Sequence, residues 1–172
     1  MKYHNITTDD MKNGDGLRTV LWVSGCEHHC KGCHNPITWD PDDGLPFTEE
    51  TMIELLNDLN KDYISGLTLS GGDPLYKFNL IEILNIVKTV KNTFPNKTIW
   101  MYTGYVISFD ENSLNENSII TEILKYIDVL VDGPFIEELK DSNYHWAGST
   151  NQRVIDVKKS LESKEIILYG SN

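Results

Sequence analysis

Short apolar runs rich in β-branched and aromatic residues alternate along this chain with longer segments whose apolar residues recur at helical spacing, and this alternation restricts the fold more than any other feature. Arg18 to Ser24 (RTVLWVS) reads as a buried strand that stops at Gly25. After a loop bearing Pro36, Pro41, Gly44 and Pro46, Thr48 is placed to cap a helix, with Glu49 and Glu50 in its first turn and Met52, Ile53, Leu55, Leu56 and Leu59 as its apolar stripe. Gly66 to Ser70 reads as a second strand, halted by Gly71-Gly72-Asp73-Pro74, and residues 79–92 carry a stripe of Leu80, Ile83, Leu84, Val87 and Val90. The pattern continues with a strand over 98–102, a helix over 118–126, a strand over 128–131 and a last strand over 164–169, with 141–152 irregular. Strands alternating with helices predict an α/β fold on a mainly parallel sheet with right-handed crossovers, in a single domain over 1–172. Four or five strands are too few to close an eight-stranded barrel, so an open partial (β/α) barrel is expected. Ligands of such sheets lie beyond the carboxyl ends of the strands. The loops to inspect are therefore residues 25–39, 71–75, 103–105 and 132–135.

Composition removes several classes. Fifteen Lys and Arg against twenty-six Asp and Glu give a formal charge of -11, which repels a phosphate backbone, so no nucleic-acid partner is expected. The opening residues lack the apolar run of a signal peptide, and no long uncharged apolar stretch follows, so neither export nor a membrane is expected. The three cysteines all fall between residues 26 and 33, where a disulfide would leave one thiol over and staple almost nothing. Thiols grouped in this way point to chemistry in a reducing compartment, the cytoplasm.

Their spacing is C-x3-C-x2-C, over Cys26-Glu27-His28-His29-Cys30-Lys31-Gly32-Cys33. Three thiolates in one tight loop can hold three irons of a 4Fe-4S cubane and leave the fourth iron open, and the missing fourth cysteine argues against a conventional electron-transfer cluster. The alternatives are a Cys3His zinc site completed by His28, His29 or His34, and plain buried thiols. Structural zinc loops usually draw ligand pairs from separate segments, whereas all of these ligands would lie in one loop at the mouth of an α/β sheet.

The spacing, and its place after a first strand, resemble the radical S-adenosylmethionine (SAM) superfamily. More narrowly, Asn13-Gly14-Asp15-Gly16-Leu17-Arg18-Thr19, Cys33-His34-Asn35 and Thr38-Trp39-Asp40 resemble the activating enzymes of glycyl-radical enzymes. Ser70-Gly71-Gly72-Asp73-Pro74-Leu75, Tyr102-Thr103-Gly104-Tyr105, residues 128–135 and Gly148-Ser149-Thr150-Asn151-Gln152-Arg153 are similar to the branch that acts on anaerobic ribonucleoside-triphosphate reductase. Two positions depart from the superfamily pattern. Gly32 stands where an aromatic residue commonly packs near the adenine, and Gly-Gly-Asp stands in place of Gly-Gly-Glu.

The resemblance implies a partial barrel of the radical SAM type and two cofactors, a 4Fe-4S cluster on Cys26, Cys30 and Cys33 and SAM on its open iron. It implies that Gly32, Cys33 and His34 line SAM, that Gly71, Gly72 and Asp73 accept hydrogen bonds from its amine, and that Asn151 and Arg153 reach its ribose or carboxylate. Asp15 and Arg18 would shape the loop above the cluster or meet a partner. Each has a plainer reading: a Gly-Gly-Asp-Pro turn, a surface histidine, a surface-paired arginine, a polar entry to a strand. Trp39, Trp100 and Trp146 read as packing residues. The implied partners are the large chain of an anaerobic ribonucleoside-triphosphate reductase and an electron donor such as reduced flavodoxin or ferredoxin. The chain leaves little sequence after Arg153 for a small-molecule pocket, which suits a macromolecular substrate. A small radical SAM enzyme acting on a metabolite, like a deazapurine synthase, and a zinc-stabilised binding module without catalysis are the competing functions.

Overall fold

The computed structural model describes residues 1–171. Its strands are β1 (Lys2–Asp10), β2 (Arg18–Val23), β3 (Leu45–Pro46), β4 (Gly66–Gly71), β5 (Thr98–Tyr102), β6 (Val129–Asp132) and β7 (Arg153–Asp156). Its α-helices are α1 (Glu49–Leu59), α2 (Leu80–Thr93), α3 (Glu111–Glu116), α4 (Ser118–Leu124) and α5 (Val157–Ser163). All seven strands form one open sheet in the order β3-β1-β2-β4-β5-β6-β7.

The four central strands, β2, β4, β5 and β6, pair in parallel, whereas β1 with β2, β1 with β3 and β6 with β7 pair antiparallel. The expected mainly parallel sheet is thus corrected to a parallel centre with antiparallel flanks. The flanks were hidden for physical reasons. β1 lies at the margin of the sheet, so its half-exposed sequence KYHNITTDD has little of the apolar pattern that marks a buried strand. β7 is only four residues long and pairs on one side with β6. The expected strand over 164–169 reduces to a single antiparallel bridge between Ile155 and Leu168.

Thr48 caps α1 as expected: its hydroxyl accepts from the Thr51 amide, and the Thr51 hydroxyl accepts from the Thr48 amide. Leu55 and Leu59 of α1 and Ile83, Ile86, Val87 and Val90 of α2 are buried with Leu21, Leu67, Leu69, Ile99, Met101 and Leu130 from one face of the sheet. Ile53, assigned to the buried stripe, is exposed instead. The alternating residues Trp100, Val129 and Val131 point to the other face and pack with Trp146 and Ala147. No helix in the described residues is long and apolar enough to cross a membrane.

Arg18, at the first position of β2, is fully buried. Its Nε donates to Thr68 Oγ1 (2.8 Å), Nη1 to the Asp15 carbonyl (2.9 Å) and Thr98 Oγ1 (3.0 Å), and Nη2 to the carbonyls of Leu67 (2.9 Å) and Thr98 (2.8 Å). Burial lowers its pKa to about 10, and these neutral acceptors satisfy the charge that burial would otherwise leave bare. Gly14 makes room for it, since a Cβ there would lie 2.8 Å from Arg18 Cδ. Arg18 and Asp15 therefore brace the amino ends of the parallel strands, and the cysteine loop lies beyond the carboxyl ends. They do not sit above that loop.

Candidate iron–sulfur site

Register brings the site together. Val23 at the end of β2 pairs with Gly71 at the end of β4, so the two loops that follow leave the sheet side by side. The Gly72 amide donates to the Val23 carbonyl (2.7 Å) and the Asp73 amide to the Gly25 carbonyl (2.7 Å). The cysteine loop folds back on itself through Gly25 N to Thr38 O (2.8 Å) and Cys26 N to Trp39 O (3.1 Å). A Cβ on Gly72 would stand 2.5 Å from the Gly25 oxygen and 2.8 Å from the Thr38 oxygen, and Gly71 adopts φ +101° against the Val23 backbone. Gly72 is thus required by the approach of one loop to the other, and Gly71 by its positive φ against the end of β2, demands distinct from the ligand approach read from the sequence.

Asp73 is almost fully buried at the centre of this junction. Its Oδ1 accepts from Leu75 N (2.9 Å) and Thr103 Oγ1 (2.8 Å); its Oδ2 accepts from Gly104 N (2.9 Å) and lies 2.6 Å from His28 Nε2. One carboxylate therefore joins the loops after β2, β4 and β5. These donors occupy the oxygens that the sequence reading offers to the amine of SAM. The hydrogen bond to Asp73 is the main reason His28 keeps its proton to higher pH than an ordinary histidine. The ring of Tyr105 meets that of His28 edge-on at 4.4 Å, and its hydroxyl donates to Glu27. Burial, and then the Glu27 carboxylate, push the Tyr105 phenol well above its usual range.

The cysteines are free and half-buried. Burial raises the Cys26 thiol to about 11, so a thiolate there requires a nearby positive charge. The Cys33 amide closes a turn on the Cys30 carbonyl (3.1 Å), and Cys33 Sγ accepts from the Asn35 amide (3.4 Å). Gly32 is exposed at φ +77°; a Cβ there would lie 3.1 Å from the Glu137 carboxyl, so the space an aromatic neighbour of Cys33 would need is taken by Glu137. His34 tilts against Phe135 at 5.3 Å and His29 stacks on Trp39 at 4.5 Å.

Asn151 and Arg153 reach the same end of the sheet on the loop before β7 and on its first residue. Asn151 Nδ2 donates to the Pro134 carbonyl (2.8 Å), and its Oδ1 is buried without a hydrogen-bond partner among the described residues. Arg153 is paired with Asp132, Nε to Oδ1 at 2.9 Å and Nη2 to Oδ2 at 2.6 Å, so its fork is not directed at a ligand carboxylate.

Residues 12–155 match the 4Fe-4S single cluster domain family. This chain belongs to that family. Its relatives include anaerobic ribonucleoside-triphosphate reductase-activating proteins. The one from Enterobacteria phage T4 is 47% identical over 154 residues, covering 90% of this chain and 93% of the relative. The one from Vibrio cholerae serotype O1 is 44% identical over 154 residues, covering 88% and 96%, and that from Escherichia coli K12 is 43% identical over 156 residues, covering 90% and 97%.

The donor set fits the cluster of this 4Fe-4S family. Three soft thiols share one loop, and a buried thiol such as Cys26 gains from the cationic irons that would stabilise its thiolate. Among the described residues no three His, Cys, Asp or Glu side chains converge on a single ion, and His28, His29 and His34 pack against Asp73, Trp39 and Phe135. A cubane spreads its ligands over separate irons and does not demand that convergence. The unpartnered Asn151 Oδ1 is an acceptor whose burial costs about 1–3 kcal/mol unless a donor meets it, which suits a polar cofactor beside Pro134. The sequence reading missed His28 as a structural element of the site; the only signal was Thr103-Gly104-Tyr105, whose partner lies far along the chain.

Proposed function

We propose that this chain activates an anaerobic ribonucleoside-triphosphate reductase as a radical SAM enzyme, with Cys26, Cys30 and Cys33 as the ligands of its 4Fe-4S cluster. Cys26, Cys30 and Cys33 would hold the cluster, which would supply one electron for cleaving SAM to methionine and a 5'-deoxyadenosyl radical able to take a hydrogen atom from a glycine of the reductase. The chain's own residues hold this chemistry in place. Cys26, Cys30 and Cys33 leave one iron for SAM. Gly32, Cys33 and His34 border it on one side and Gly71 and Gly72 on the other, with Asn151 Oδ1 as an acceptor for a cofactor donor. Asp73 acts by fixing these loops to one another.

The observation that carries this reading is the openness of the cysteine loop. Lys31, Gly32, His34 and Ile37 are exposed on the rim of the sheet. A cavity of about 720 Å³ lies at the far end of the sheet, against Asp15, Gly16, Ser65 and Thr98. A reactive centre on an exposed rim suits a substrate presented by another protein better than an enclosed metabolite. The reductase as that protein follows from the named activity of the relatives. Reduced flavodoxin or ferredoxin would supply the electron.

The test is anaerobic reconstitution followed by reduction with SAM and an anaerobic reductase chain. A glycyl doublet by electron paramagnetic resonance, and deuterium in 5'-deoxyadenosine when the reductase carries α-deuterated glycine, are the expected results. SAM cleavage with neither would retain the enzyme class and remove the reductase as substrate.

A further inference from the structure

We infer that Asp73, Thr103, Gly104 and Tyr105 form a socket for the His28 side chain, and that seating it sets the course of the cysteine loop before a cluster is present. The inference rests on the proposed reading of Cys26, Cys30 and Cys33 as cluster ligands, since His28 lies between the first two.

Three sides of the socket are built independently. Its end is the Asp73 carboxylate, 2.6 Å from Nε2 and held in orientation by Leu75 N, Thr103 Oγ1 and Gly104 N. Its floor is Gly104. A Cβ there would lie 2.5 Å from His28 Cδ2 and 2.7 Å from Nε2, inside contact distance of the ring. Gly104 does not adopt a positive φ, so the backbone would tolerate a side chain and the imidazole is what forbids one. Its wall is Tyr105, edge-on to the imidazole at 69° and tied through its hydroxyl to Glu27, the residue before His28. The cysteine loop is thereby pinned at Glu27 and His28 to the end of β5, and at Gly25 and Cys26 to its own return segment.

His28 is a positioning residue. Its ring is turned to Asp73, and its contribution is to reduce the conformations open to the stretch from Cys26 to Cys30. Pre-arranged ligands lose less freedom when a metal group binds, as with supporting residues around metal sites generally. The same side chain gives the Thr-Gly-Tyr of residues 103–105 a role, since Gly104 and Tyr105 meet the cysteine loop at His28 and Glu27.

The test compares His28→Ala, His28→Gln and Gly104→Ala with the parent chain. In metal-free protein, hydrogen exchange over residues 26–33 should be on the order of tenfold faster in His28→Ala and in Gly104→Ala, with the helices unchanged. His28→Gln should restore most of the protection, because its amide nitrogen can donate where Nε2 does. After reconstitution, the reduced cluster in His28→Ala should give a broadened paramagnetic signal and lose iron to a chelator roughly 10–100-fold faster, both recovered in His28→Gln. Unchanged exchange in His28→Ala, or a Gln variant no better than Ala, overturns the socket. A parent chain that takes up no cluster would instead remove the ligand reading, while exchange in the metal-free protein still decides the socket.

Discussion

Arg153 grips both oxygens of Asp132, with Nε 2.9 Å from Oδ1 and Nη2 2.6 Å from Oδ2, and by doing so fastens β7 to β6 at the end nearest the cysteine loop. Nη2 also donates to the Ile107 carbonyl at 2.9 Å, which adds the chain after β5 to the same clasp. The arginine that the sequence offers to a cofactor carboxylate is therefore part of the frame that carries Asn151.

Arg153→Ala should destabilise the metal-free protein by about 2–3 kcal/mol, toward the lower end of the cost of stranding a buried carboxylate because the arginine is partly exposed. Arg153→Lys should recover only part, since an ammonium cannot make the two-pronged contact. Urea denaturation gives both values. Unaltered stability with weakened SAM binding would return Arg153 to the ligand.

Single replacement of Cys26, Cys30 or Cys33 by alanine should abolish cluster assembly and SAM cleavage, because two thiolates cannot hold a cubane firmly. Iron and sulfide content after anaerobic reconstitution reads the result. One fully loaded alanine variant would remove that cysteine from the ligand set.

Asp73→Asn should lower the stability of the metal-free chain by about 1–3 kcal/mol, because an amide nitrogen then faces donors where a carboxylate oxygen accepted them. Cluster loading and SAM affinity should fall together, as both depend on the junction of loops. A variant with unchanged stability and cluster but weakened SAM binding would show Asp73 to be a direct ligand of the amine.

Asp128 gives the fold a dependence on acid. Burial works to raise its pKa, but Lys91 at 2.7 Å, the Ile99 amide at 2.8 Å and Lys158 at 3.1 Å together hold it below the usual range. A carboxyl depressed in the folded state contributes stability that is complete above its unfolded pKa, about 3.9, and is lost as pH falls through the folded value. Unfolding of the parent chain and of Asp128→Asn, followed from pH 7 to pH 3, should converge as the solution is acidified. A constant gap would assign the difference to packing.

The legible parts of this chain are those with local causes. β5 over residues 98–102, the Thr48 cap and the core stripe of α2 follow from short-range patterns of burial and hydrogen bonding, and the cysteine loop announces itself by spacing. What escaped depends on distance. His28 and Asp73 are 45 residues apart and meet only because β2 and β4 pair in register. Arg18 looked like a residue at the site until the strand direction placed it at the opposite end. β1 was lost because a strand at the margin of a sheet can be polar along most of its length.

Gly72 separates two explanations that the sequence leaves joined. If it is glycine to admit SAM, an added methyl should obstruct SAM and leave the metal-free protein and the cluster undisturbed. If it is glycine because the cysteine loop passes close by, the methyl meets two backbone oxygens, Gly25 O at 2.5 Å and Thr38 O at 2.8 Å, and neither can swing aside as a flexible side chain would. The expected outcome for Gly72→Ala is accordingly a displaced cysteine loop: faster hydrogen exchange at Gly25 and Cys26, whose amides bond the Thr38 and Trp39 carbonyls, and poor cluster retention before SAM is added. The sheet should survive, because Gly72 lies one residue past β4 and the core residues Leu67 and Leu69 are untouched. Normal cluster loading combined with a raised SAM dissociation constant would favour ligand access over loop packing.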